Sequence, residues 1–423
     1  MPSDERRKNL ANIVSARVLL SFSYGFLNVL LSLYLNHLGY SLIEIGLILG
    51  GAIIISASLT FLLSMLADHF GRKLVLAILF LLFSLSSLLF LSTKDILVLV
   101  VLSGVGGFTG SGGGPIGSGG AFGAVQTALV TEFTERKDFS RILSLASALG
   151  IMAASAGSFL IDLVEAERID VYDLFYLAGI MGILGSVFSL FLKDNRIRSR
   201  HFLPDISWKN IIRLSLPTIP SGIGAGLISP IFSLWFHLRF GISSGEIGII
   251  FGISNLFVLL VMLLLPRIIN PESELRSIIW TRVISSVALI ALALIPMLLF
   301  AAMLYVLRQG MQMGAVPVRQ SFAMGLVDES ERATTSGATS MTRTGFSAVS
   351  PPVAGSLLAI NVVYPPLIGG FITVLDPFMY YYLFRKNFPT KKNLIRIKYI
   401  IGAFKCKDHK MSIYYSNTTI YNI

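Results

Sequence analysis

The chain has 423 residues, 54% hydrophobic and only 13% charged, with a mean hydropathy of +0.75. A water-facing globule carries about a quarter of its residues as charge, so these values exclude an ordinary soluble fold and put much of the surface against lipid. The net charge of +11 would suit a nucleic-acid partner in a soluble domain, while one cysteine, Cys406, excludes an internal disulfide framework or a thiolate metal cluster.

The first residues are polar, with Arg6, Arg7 and Lys8 ahead of an apolar run that continues past Leu35 without a small-residue cleavage site. That pattern reads as a first span and not as a removable signal peptide. A hydrocarbon core about 30 Å thick asks for about 20 apolar residues per helix, and this ruler predicts an all-α chain with twelve spans. The first six fall at 13–36, 43–67, 74–91, 96–132, 142–163 and 173–192. The second six fall at 214–237, 245–265, 277–295, 297–327, 334–359 and 362–384. The polar segment 193–213, holding Arg196, Arg198, Arg200 and His201, is expected to link residues 1–192 to residues 214–384. Residues 385–423 form a basic tail, expected to be cytoplasmic and to touch the membrane surface.

An even number of spans puts both ends on one side. Of the 34 Lys and Arg residues, 26 fall on that side, three (Lys94, Arg168, Arg239) on the other, and five inside spans. Cytoplasmic loops retain positive charge, so both termini are expected in the cytoplasm of a multi-pass cell-membrane protein. The basic excess is then a topology signal and a surface for anionic headgroups, and nucleic acid is dropped as a partner.

The two halves repeat. At an offset of 202, Gly39, Ser41, Glu44, Ile45, Gly46, Ile48 and Gly50 meet Gly241, Ser243, Glu246, Ile247, Gly248, Ile250 and Gly252. Each segment joins the first span of its half to the second, so the halves share one polarity, as parallel repeats do. The stretch Ser64-Met65-Leu66-Ala67-Asp68-His69-Phe70-Gly71-Arg72-Lys73 resembles the loop-two signature of the major facilitator superfamily, G-x-L-A-D-R-x-G-R-K, departing only at Ser64 and His69. The second half carries a worn copy around Leu265, Pro266, Arg267 and Asn270, Pro271, Glu272.

The resemblance implies two pseudo-symmetric six-helix bundles and secondary transport by alternating access. It also implies that Asp68, Arg72, Lys73 and Arg141 latch the cytoplasmic ends of the bundles, with His69 leaving one contact in doubt. A solvated turn is the alternative. Span four contains the tract Gly104 to Gly123, and its 37 residues are too long for one simple crossing at 1.5 Å per residue. Either a broken helix lining a cavity or close helix packing would use those glycines. No Lys follows them as in a phosphate loop.

Ionisable groups at membrane depth are functional candidates by default. Arg308 and Arg343 lie near the midplane by helical rise, and in the family fold both would approach a central cavity. Two guanidiniums without an evident acidic neighbour favour a carboxylate or phosphate ligand, the alternative being structural bonds to helix carbonyls. Tyr24 and Asn28 on one face of span one, and Gln126, matched to Gln320 at an offset of 194, are further candidates for substrate contact. Arg17, Arg282 and Arg319 are expected to snorkel to the cytoplasmic interface. Asp376 lies deeper, but the family architecture puts its span at the periphery. Prolines 217, 220 and 230 in span seven and 351 and 352 in span eleven are expected to kink those helices.

The leading reading is a secondary transporter, a monomer without cofactor or metal, moving a small anionic or sugar-like solute, with proton coupling open. A membrane-embedded lipid-modifying enzyme is the competitor, although the five histidines are scattered. Within the transporter class, a drug efflux antiporter is the alternative. Relatives of that kind carry an Arg in span four where this chain has Ser103 and glycines.

Overall fold

The computed structural model describes residues 3–109, 120–134, 136–167, 170–192, 208–269, 273–327 and 332–385. The linker stretch 193–207 and the tail from 386 onward lie outside them. The described residues are helical, with no strand among them. The N-terminal half contains α1 (Ser3–His37), α2 (Leu42–Phe70), α3 (Arg72–Phe90), α4 (Ile96–Gly106), α5 (Gly120–Phe133), α6 (Arg136–Ala166) and α7 (Asp173–Leu190). The C-terminal half contains α8 (Trp208–Ser215), α9 (Thr218–Gly226), α10 (Phe232–Phe240), α11 (Ser244–Ile268), α12 (Glu274–Leu294), α13 (Leu298–Met313), α14 (Val316–Gly325), α15 (Arg332–Ala348), α16 (Ser350–Ile360) and α17 (Tyr364–Phe384).

Nine of the described stretches are long and apolar enough to cross a membrane, counting Trp208–Phe240 as one. Spans four, ten and eleven complete the twelve as pairs of shorter helices: α4 with α5, α13 with α14, and α15 with α16. Leucine, isoleucine and valine face outward on the long helices, as at Leu47, Ile54, Leu81, Leu85, Leu256, Leu260 and Val287. Helices apolar on every side belong in lipid or a core. The end where α1 begins is called proximal below, and the end where α1 turns into α2 is distal.

The internal repeat is structural. Ser41 caps α2 and Ser243 caps α11, each in a reciprocal capping box with Glu44 or Glu246. The preceding turns close on Gly39 and Gly241, at φ of 86° and 67°.

The breaks have local causes. Span four stops at Gly106 because Gly107 takes the left-handed conformation, φ 72°, which a side chain disfavours. The Tyr24 hydroxyl then donates to the freed Gly106 carbonyl at 3.2 Å. Gly104, one turn earlier, packs against Ile55 and Ala52, so the tract both breaks and packs closely. Residues 110–119 lie outside the described residues. Span ten was expected as one helix; it stops at Met313 and restarts with Pro317 near the N-terminus of α14. The last carbonyls of α13 lose their helical donors where the helix ends, and Arg319 donates to that of Gln312 at 3.1 Å. Span eleven parts at Val349 ahead of Pro351 and Pro352, and span seven at Pro217 and Pro230.

The halves meet through small residues in the distal half of the molecule. Gly46 and Gly50 of α2 lie against Pro351, Pro352 and Ala348, and Gly355 lies against Leu42. Ser155 donates to the Gly252 carbonyl at 2.8 Å, and Ser32 and Ser233 share a hydrogen bond at 2.8 Å. At the distal end, one Glu165 carboxylate oxygen accepts from both the Ser244 hydroxyl and the Gly245 amide, each at 2.6 Å. Those donors begin α11, where exposed amides and the helix dipole attract negative charge. The distal side is therefore closed.

Candidate functional site

Among the described residues, three of the four buried charged side chains, Arg282, Arg308 and Asp376, lie in the C-terminal half, and Arg17 lies in the N-terminal half. Arg308, on α13, is 1% exposed. Its guanidinium carbon lies 5.3 Å from the centre of the Phe232 ring, a cation–π contact. Tyr305 packs on Phe232 at 4.7 Å and on Phe251 at 5.0 Å, so aromatic rings wall the arginine. Arg308 Nη1 donates to Gln309 Oε1 at 2.8 Å, whereas Nε and Nη2 find no acceptor among the described residues. A guanidinium with two unfilled donors in an apolar enclosure is costly unless something anionic is meant to meet it.

Arg343, on α15, is half-buried and lies within electrostatic range of Arg282, Arg308, Asp376 and Tyr380. Its position depends on span seven. Gly222 of α9 faces the Arg343 backbone so closely that a Cβ would collide with the Arg343 carbonyl oxygen, and Gly226 does the same for Ser347. Two glycines one turn apart thus form the notch in which α15 rests.

Asp376 overturns the expectation of a peripheral carboxylate. It is 1% exposed, and one of its oxygens lies 2.5 Å from Arg282 Nη1. Charge attraction to Arg282 holds this carboxylate, with Ser221 beside it. Arg282 Nη1 also donates to the Ser221 hydroxyl at 2.7 Å. Arg282 was expected to snorkel; instead it is 5% exposed and turned inward. Arg17 is likewise 1% exposed, with Nη2 donating to the Ser147 hydroxyl at 3.2 Å. Distance from a helix end told how far these side chains could reach, and neighbouring helices decided where they reached. Arg319 spends its reach on the Gln312 carbonyl.

The structure therefore brings Arg308 and Arg343 together with Arg282 and Asp376, which the sequence reading had set aside. A signal was available: Arg282 and Asp376 each stand eight residues from the proximal end of their helix, and so at one depth. The other candidates lie in the N-terminal half. Tyr24 commits its hydroxyl to Gly106 and packs edge-on to Phe83 at 5.6 Å. Asn28, one turn on, is half-buried. Gln126 of α5 is fully buried, with neither amide atom partnered among the described residues. Of the latch candidates, Gly71 makes the α2–α3 turn at φ 99°, and Arg72 and Lys73 begin α3 half-buried. The side chains of Asp68 and Arg141 lie outside the described residues.

The profile of the Major Facilitator Superfamily matches residues 13–351. The chain belongs to that superfamily. Solved structures agree on the fold. The nucleoside transporter NupG, as its D323A mutant, superposes with a TM-score of 0.70 at 15% identity, covering 89% of this chain and 100% of NupG. A bacterial homologue of the human lysosomal transporter Spinster, inward-facing and occupied, gives 0.68 at 14%, covering 92% and 100%. The human organic anion transporter MFSD10 gives 0.64 at 15%, covering 90% and 100%. No curated protein matches the chain. As a superfamily member it is a multi-pass membrane protein of twelve helices in two bundles, of a family whose members transport and are not enzymes.

Proposed function

We propose that the protein is a secondary transporter of a small organic anion, moved across the cell membrane by alternating access without covalent change. One observation carries the reading: among the described residues, Arg343 lies within electrostatic range of two further guanidiniums, Arg282 and Arg308, while the one carboxylate acting on it, Asp376, is paired with Arg282. That leaves two positive charges uncompensated at membrane depth, where the cost of bare charge is high. An anionic solute supplies what the chain withholds. The aromatic wall of Phe232, Tyr305 and Phe251 beside Arg308 suits a carboxylate or phosphate attached to an apolar body. MFSD10 is an organic anion carrier by name; that likeness speaks for the fold, and the charge argument rests on this chain's own residues.

Gln126, unpartnered in the N-terminal half, would meet the polar far end of such a solute. The skewed Lys and Arg census supports a cytoplasmic location for the termini and the proximal side. On that orientation the contacts at the distal side support an inward-facing form, and the proposed latch of Asp68, Arg72, Lys73 and Arg141 would join when the proximal side shuts. A monomer suffices for the cycle.

The test is uptake into proteoliposomes of a panel of radiolabelled carboxylates and organophosphates, with counterflow to separate a carrier from a channel. Arg308→Gln and Arg343→Gln are expected to abolish saturable uptake while membrane insertion and monodispersity persist. Full uptake by both variants, or uptake of neutral sugars alone, would sink the anion reading.

A further inference from the structure

Arg308 is held by its backbone as well as by its charge. Ala301, Tyr305, Arg308 and Gln312 follow one another at helical spacing and are all buried, so they make the inward face of α13. Two neighbours fix that face. The Ser285 hydroxyl of α12 donates to the Arg308 carbonyl at 3.4 Å. Gly310 lets the Phe257 ring of α11 come so close that a Cβ there would strike it.

The guanidinium is also turned one way. Its Nη1 donates to Gln309 Oε1 at 2.8 Å, and the Gln309 side chain lies beside the Tyr305 hydroxyl as well. The Phe232 ring covers its face. What remains are Nε and Nη2, both buried and without an acceptor among the described residues. These two atoms are neighbours on one edge of the planar group, and their N–H bonds run parallel, forming the fork that a carboxylate meets with two oxygens at once. Other arginines differ. Arg17, Arg282 and Arg319 each leave Nε alone unfilled, so among the buried donors of the described residues the whole fork is open at Arg308 only.

We infer that the charged group of the solute is a carboxylate, taken side-on by Nε and Nη2 of Arg308, and that Gln309 is the positioning residue that holds this edge in place. The groups touching Arg308, namely Gln309, Tyr305 and Phe232, are neutral, so one negative charge shared by two coplanar oxygens completes the site. A phosphate monoester brings about −1.5 to −2 charge and three oxygens, more than one fork can receive. The amide at Gln309 has its own use: it accepts from Nη1 and adds no charge. A carboxylate there would satisfy the arginine from within the chain. The rings that now seal the bare edge also exclude water from the filled one, and a charge-assisted bond is strongest where the local dielectric is low.

This rests on the anion reading above, and the experiment separates the two. Purified full-length protein is titrated at about pH 7.5 with benzoate, phenyl phosphate and thiocyanate, the last an anion without paired oxygens, and apparent affinity is read from the rise in unfolding temperature. The wild type is expected to bind benzoate at least about tenfold tighter than phenyl phosphate. Arg308→Lys keeps a point charge and loses the fork, so benzoate affinity should fall at least about tenfold while thiocyanate affinity stays within about twofold. Gln309→Leu, at a half-buried place, should fold and move the benzoate-to-thiocyanate ratio in the same direction, because the edge is no longer held. Gln309→Glu should abolish benzoate binding. The two Gln309 variants decide the matter if Arg308→Lys does not fold. Phenyl phosphate bound as tightly as benzoate by the wild type overturns the carboxylate assignment. Unchanged benzoate affinity in Arg308→Lys or Gln309→Glu overturns the fork, and equal losses of both anions in Gln309→Leu overturn its positioning role. Binding of none of the three anions to the wild type overturns this inference and the anion reading together.

Discussion

The two bundles solve the same structural problems with different chemistry. Span four is interrupted by a glycine in the left-handed conformation, and a tyrosine hydroxyl holds the freed carbonyl; span ten is interrupted ahead of a proline, and an arginine holds the freed carbonyl. Between the third and sixth spans, the N-terminal half uses neutral bonds, from the Ser84 hydroxyl to the Gly179 carbonyl at 2.7 Å and from Ser186 to Ala77 at 3.2 Å, beside the Phe80–Gly185 contact. The C-terminal half uses the Arg282–Asp376 pair. Its aromatic rings line an arginine, whereas those around Phe83, Phe90, Phe108 and Phe122 pack on one another edge to face. The lesson is local: at the contact between third and sixth spans one half uses a neutral frame, and the other a charged pair.

The largest expected effect breaks that comparison at its centre. Asp376→Ala strands Arg282 in the interior and should cost about 3–5 kcal/mol, as loss of one partner of a buried pair does. The equivalent insult in the neutral half, Phe80→Leu, keeps an apolar contact and should cost less than about 1.5 kcal/mol. Denaturation of the two variants in matched detergent checks the contrast; equal losses would remove the distinction between the halves.

A middle-sized effect sharpens it. Gly157 of α6 lies against the Phe22 carbonyl as Gly222 lies against that of Arg343. Replacing either with Val forces two backbones apart, at about 1–3 kcal/mol. Only Gly222→Val moves an arginine of the proposed site, so it should also weaken benzoate binding at least tenfold, while Gly157→Val leaves that affinity within about twofold. Ligand-dependent unfolding temperatures measure both.

The smallest effect concerns the seam. Glu165→Gln removes a charge from two hydrogen bonds at the start of α11 and should weaken the distal closure by about 1 kcal/mol, within the range for charge at a helix terminus. Thiol labelling of a cysteine placed at Ser244 reports it. The labelling rate should rise severalfold in the Glu165→Gln background, and an unchanged rate would assign closure to the glycine contacts instead.

Much of the fold was legible because its signals are local. Span lengths follow from the bilayer, the repeat from identities at an offset of 202, the break in span four from the excess length of the span holding the Gly104 to Gly123 tract, and the kinks from Pro217, Pro230 and Pro351. The site was legible in part. Arg308 and Arg343 stand out as charge within apolar runs, and the structure surrounds both with the company that makes them notable. Arg17 and Arg282 were misjudged because a long side chain near a helix end can turn either way, and its choice depends on Ser147 or Asp376 on another helix. Tyr24 looked free for a solute because its partner, the Gly106 carbonyl, exists only once span four breaks.

By itself the sequence determined the membrane setting, the number of crossings, the doubled plan and the interruptions of spans four, seven and eleven, since each follows from hydropathy, rise per residue or backbone stereochemistry within a few turns. Only the tertiary structure decided which buried charges face one another. Arg282 and Asp376 share a depth but lie on helices remote in the chain, and electrostatic energy depends on separation in space, which helix packing alone sets.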